Sequence, residues 1–183
     1  MNELNSIQTK INKSSRVISI ILKICGIAII VGFCMELIAL IWIGATGSND
    51  TIFKLGELTF HSPLDSQGAA SQIAAECIAD MTQQIFVWFM IFLAYRIFRE
   101  ISIELRPFEL KHAARIRKIA VLMLVSAVVV PCVQAATGRI FDLPAASGGE
   151  INMLYIFIGI IFFALSYMFS YGAMLQQQAD ETL

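Results

Sequence analysis

Apolar residues run almost without interruption through four stretches of the chain, at about Val17 to Ile43, Met81 to Ile103, Ile119 to Thr137 and Ile151 to Ala173. At ~1.5 Å of rise per residue each stretch, as a helix, matches the ~30 Å hydrocarbon core of a bilayer or falls just short of it. Strands are excluded because the runs are continuous rather than alternating, and because backbone amides in lipid must be paired within their own segment. The pattern predicts an all-α integral membrane protein, a bundle of four transmembrane helices in a single membrane domain over residues 1–183. Between the runs lie a long outer loop at 44–80, a basic loop at 104–118, a second outer loop at 138–150 and a tail at 174–183. The first run is longer than the ~7–15 residue core of a signal peptide and is expected to stay as an anchor.

Composition agrees. The 183 residues are 57% hydrophobic and 15% charged, with a mean hydropathy of +0.73, against about 45–50% and about 25% in soluble domains. The net charge of -1 hides a segregation of signs. Lys10, Lys13, Arg16, Arg96, Arg99, Arg106, Lys111, Arg115, Arg117 and Lys118 lie on one side of the predicted spans, ten of the 13 basic residues. Lys54 and Arg139 lie on the other, and Lys23 can extend from the first helix toward the basic side. Short loops rich in Lys and Arg stay in the cytoplasm, so both termini and the basic loop are expected there, in a bacterial cytoplasmic membrane. Asp50, Glu57, Asp65, Glu76, Asp80, Asp142 and Glu150 fall on the outer side.

In the basic loop, Pro107 disfavours helix for Arg106, while Leu110, Ala113, Ala114 and Arg117 continue at helical spacing into the third span. Arg106, Lys111, Arg115, Arg117 and Lys118 are expected to contact anionic lipid or to dock a cytoplasmic partner. Direct nucleic-acid binding is not expected, because no aromatic platform accompanies the charge.

The outer loop at 44–80 is too long for a bare connector. In TIFKLGELTF, a Gly56-Glu57 turn of type II' pairs Leu55 with Leu58 and Phe53 with Phe60, which predicts a small extracellular β-hairpin with those four side chains on one face. Such a ribbon needs support, and the outer ends of the helices would supply it, making Phe53, Leu55, Leu58 and Phe60 a lid. After Pro63 the caps and small residues of DSQGAASQIAAECIAD favour a helix that extends the second span outward by several turns.

Glu76, Asp80, Gln83 and Gln84 recur at helical spacing, and Glu36 sits ~10 Å inside the outer end of the first span. A carboxylate is costly in lipid and belongs in the bundle interior, on the stripe of Ala28, Gly32 and Glu36. Glu36, Glu76 and Asp80, lined by Gln83, Gln84 and Gln134, would make an outward-opening pocket for a cation, an amine or a cationic peptide. The plainer alternative is that Glu36 bonds Arg139, Lys54 or a helix hydroxyl.

Other residues point to structure. Cys25, Cys34, Cys77 and Cys132 lack metal spacing, and packing is expected for most of them, with a Cys77–Cys132 disulfide conceivable. Pro131 should kink the third span, with Ser126 and Gln134 beside it to serve freed backbone groups. Gly159, Ser166 and Ser170 form a small-residue seam in the fourth. No GxSxG, HExxH or phosphate-binding loop is present, and His61 and His112 fall on opposite sides of the membrane. Neither an enzyme, a cofactor nor a metal is expected.

The segment RPFELKHAARIRKIA and the ending FSYGAMLQQQADETL resemble the bacterial four-helix membrane family catalogued as domain of unknown function 2975 (DUF2975). The resemblance implies a small integral membrane protein often encoded beside a small helix-turn-helix regulator, and it carries no catalytic residues. The expected role is therefore sensory or regulatory, with membrane lipids, a helix-turn-helix regulator and a second copy of the chain as partners. Transport of, or immunity to, a cationic molecule is the alternative, and a structural place in a larger membrane complex is a third.

Overall fold

The computed structural model describes residues 2–46, 53–55, 58–60, 69–104, 109–142 and 151–181. Among them run four long helices, α1 (Asn2–Thr46), α2 (Ala69–Glu104), α3 (Leu110–Ile140) and α4 (Met153–Glu181). Each contains a segment long and apolar enough to cross a membrane, at Asn12–Ile41, Ile73–Ile103, Leu110–Ile140 and Met153–Ala179. The chain is thus a multi-pass membrane protein in architecture. Between α1 and α2, β1 (Phe53–Leu55) and β2 (Leu58–Phe60) pair antiparallel, with Phe53 opposite Phe60, Lys54 opposite Thr59 and Leu55 opposite Leu58. The lid role of those four apolar side chains rests on atoms outside the described residues.

The helices outlast the apolar runs that announce them. Residues 69–80, drawn from hydropathy as outer loop, are the first turns of α2; residues 110–118 of the basic loop belong to α3; and the tail is helical to Glu181. Hydropathy marks where lipid ends, whereas a helix continues while its residues keep donating to the i−4 carbonyl, and SQIAAECIAD and LKHAARIRK contain good helix formers and no breaker.

Helix ends are set by local chemistry. Asn152 caps α4, its Oδ1 accepting from the Tyr155 amide at 3.3 Å. At the end of α3 the Phe141 amide bonds the Thr137 carbonyl at 3.0 Å, and Asp142 takes φ 50, the left-handed conformation that a short polar side chain tolerates. Pro131 lies inside α3. Ser126, expected to serve the carbonyl that proline leaves free, instead donates to Met123 O at 2.9 Å, one turn back on its own helix.

The chain divides into two compact units. One comprises Met1–Ile30, Ile85–Ala127 and Asn152–Leu183, the other Val31–Gln84 and Val128–Ile151. In the first, Ile97 and Ile101 of α2 meet Ile116 and Ile119 of α3, with Leu93, Met123, Phe162 and Phe169 packed around them. Ala113, Ala120 and Ala127 on α3 and Gly159, Ser166 and Ala173 on α4 are all buried. Both series repeat every seven residues, the spacing of a left-handed helix crossing. A Cβ at Gly159 would stand 3.0 Å from the Leu124 side chain and 3.4 Å from the Ala120 carbonyl. A methyl group there would require the Leu124 side chain to give way. On α1, Val17, Ile20, Ile21, Ile24 and Ile27 are at least half exposed, as a helix surface dissolved in lipid should be.

Small and apolar side chains thus face outward as well as inward. Ala28, expected on the interior stripe with Gly32 and Glu36, is exposed, and so are Cys25, Cys34 and Cys132. The interior role assigned to these cysteines fails because lipid, unlike water, sets no penalty on an outward-facing thiol. All four cysteines are free.

Candidate functional site

Two polar clusters stand out against this apolar background, one in each unit. The first is built on Glu36 of α1. Gly32, one turn before it, faces the Gln84 amide of α2, which lies 3.8 Å from where a Cβ would be, an ordinary contact distance. Gln84 Nε2 donates to Glu36 Oε1 at 2.5 Å. Among the described residues the partner of Glu36 is this amide rather than Arg139 or a helix hydroxyl, and the side chain of Lys54 lies outside them.

That bond is incomplete on both sides. Glu36 Oε2 and Gln84 Oε1 are buried and have no hydrogen-bond partner among the described residues. Both atoms are acceptors, so neither can satisfy the other. Asp80 stands one turn before Gln84 on α2 and adds a second carboxylate to that helix face. The arrangement is an acceptor-rich cluster, of the chemistry that a group bringing donors and positive charge would complete.

The remaining residues of the expected pocket contribute less. Glu76 and Asp80 are exposed, Gln83 is half-buried, and Gln134 on α3 is half-buried with its backbone carbonyl accepting from Thr137 Oγ1 at 3.0 Å. Glu36 and Gln84 are therefore the nucleus of the cluster. Among the described residues no three of His, Cys, Asp and Glu stand where they could share a metal ion.

The second cluster joins α2 to α3. Glu100 accepts both arms of the Arg115 guanidinium, Nη1 to Oε2 at 2.7 Å and Nη2 to Oε1 at 2.8 Å. Lys111 Nζ lies 3.6 Å from the same carboxylate and 2.8 Å from Glu109 Oε2. His112 beside it is 0% exposed, with neither ring nitrogen hydrogen-bonded among the described residues.

This cluster corrects the expected docking surface. Lys111 and Arg115 are occupied by carboxylates and hold two helices together, whereas Arg117 and Lys118 are exposed, Arg117 Cζ lying 5.1 Å from the centre of the Tyr167 ring on α4. Arg106 lies outside the described residues. Sequence reasoning overlooked Glu100 and His112. A usable signal existed for Glu100: it and Arg115 are equally distant from the turn between α2 and α3, so an antiparallel helix pair brings them face to face.

No family model matches the chain, and neither the curated proteins nor the solved structures hold a match to it.

Proposed function

We propose that this protein is a non-enzymatic membrane sensor or regulator in which the recess around Glu36 binds a cationic group and a cytoplasmic partner reads its occupancy. The observation that carries the reading is the pair of buried acceptors, Glu36 Oε2 and Gln84 Oε1, left without donors inside an apolar segment. A carboxylate at such depth costs about 2.5–3.5 kcal/mol on insertion scales, and intramembrane acids kept despite that cost serve ligands, ions or protons.

In this proposal the recess faces outward and both termini are cytoplasmic, supported by the ten basic residues gathered on one side of the spans. The ribbon at Phe53–Leu55 and Leu58–Phe60 is the recess's lid. The partner, a small helix-turn-helix regulator as the likeness to the family of unknown function suggests, engages the segment around Pro107 and the tail from Gln176. That likeness, and a bacterial cytoplasmic membrane as the location, belong to the same proposal.

Binding of spermidine to the purified full chain in mild detergent, measured calorimetrically, tests the reading. The expected result is saturable binding that Glu36→Gln weakens at least about tenfold, the loss of one charge-assisted contact. Undiminished binding by Glu36→Gln overturns it. Transport is the second reading, supported by the same depth of Glu36: polyamine flux into proteoliposomes, abolished by Glu36→Gln, would favour it over sensing.

A further inference from the structure

A groove of about 830 Å³ runs along one face of α3 from Leu110 to Leu122, walled by side chains of α2 and α4. Its floor is apolar, formed in part by Ala114, Val121 and Leu122. Arg117 and Lys118 line it as well, both exposed. Unlike Lys111 and Arg115 on the same helix, neither is paired with a carboxylate among the described residues. Arg117 is held over the Tyr167 ring, which fixes where its charge points without neutralising it.

We infer that this groove binds one anionic phospholipid of the surrounding membrane, its phosphate on Arg117 and Lys118 and the start of an acyl chain along Val121 and Leu122. The groove lies on segments apolar enough to span a bilayer, so lipid is the molecule that meets it at high concentration. Basic side chains lining an apolar cleft between membrane-length helices are the arrangement that recognises acidic headgroups. A soluble phosphate would use the charges and leave the apolar floor bare; a neutral lipid would use the floor and leave two cations unpaired. An anionic phospholipid matches both. Lipid in this groove would be bound independently of anything in the recess at Glu36.

The test is native mass spectrometry of the full chain released from nanodiscs of phosphatidylcholine with a minor share of phosphatidylglycerol. Phosphatidylglycerol should be retained in preference to phosphatidylcholine. The double variant Arg117→Gln, Lys118→Gln should lower that retention about thirtyfold, the effect of two basic residues near a headgroup. Ala114→Phe fills the groove but leaves both cations, and it should also expel the lipid; should the double variant fail to fold by circular dichroism, Ala114→Phe alone decides the outcome. Equal retention of the two lipids, full retention by either variant, or displacement of the lipid by inorganic phosphate or an acidic peptide would each overturn the inference.

Discussion

Glu100 and Glu36 are both carboxylates on membrane-length helices, and both are met by a side chain from a second helix. Glu100 meets a guanidinium whose two arms match its two oxygens. Glu36 meets an amide that supplies one donor and adds an unsatisfied acceptor of its own. The first pair is closed: charge and hydrogen bonds are both accounted for, and its natural role is to clamp α2 to α3. The second is open, and an open acceptor pair in a low-dielectric place is unstable unless something else completes it. The surroundings repeat the contrast. A methyl group at Gly159, in the unit of Glu100, would press on the Leu124 side chain at 3.0 Å, while one at Gly32, in the unit of Glu36, would meet Gln84 at an ordinary 3.8 Å.

The largest effect should come from opening the closed pair. Arg115→Ala leaves Glu100 with only the 3.6 Å approach of Lys111, and it should destabilise the protein by roughly 2–3 kcal/mol, a charged hydrogen-bonded contact in a partly buried place. A thermal midpoint in detergent lower by at least a few degrees checks this. An unchanged midpoint would mean that the clamp is ornamental. Next, Gly159→Val should cost roughly 1–3 kcal/mol, because the added carbons meet Leu124 and the α3 backbone, and the compensating change Leu124→Ala should recover part of the loss.

Glu36→Gln should act in the opposite direction. Neutralising an incompletely bonded intramembrane carboxylate while keeping an acceptor for Gln84 should raise the midpoint, by about 1 kcal/mol of stability, as functional residues often do when removed. A loss of stability comparable to that of Arg115→Ala would place Glu36 among the structural pairs and erase the contrast. The smallest effect is expected of Gly32→Ala, whose methyl group would sit 3.8 Å from the Gln84 amide. Stability should stay within about 0.5 kcal/mol, and a much larger change would show that α1 and α2 approach there as tightly as α3 and α4 do at Gly159.

Parts of this were legible from the residues and parts were not, for identifiable reasons. That Glu36 should turn away from lipid and toward another helix follows from the cost of a charge in hydrocarbon. That Gln84 should be its partner was visible only as one polar residue among several at helical spacing. Lys111 and Arg115 look, in the sequence, like Arg117 and Lys118. What distinguishes them is the position of Glu100, fifteen residues before Arg115, which becomes a neighbour only when the chain turns back. Ala28 and the outward cysteines were misassigned because a membrane helix is apolar on every face, so the periodicity that marks the buried side of a soluble helix is nearly silent.

The amino-acid order by itself determined that lipid surrounds this chain and that four helices long enough to cross it would form, since both depend only on local composition and on the need of each backbone amide for a partner within its own segment. Which carboxylate is completed, which basic residues remain free and where two helices touch without a side chain between them were decided by tertiary structure. Those outcomes depend on groups far apart in the chain coming within about 3 Å of each other, a distance that no local pattern specifies.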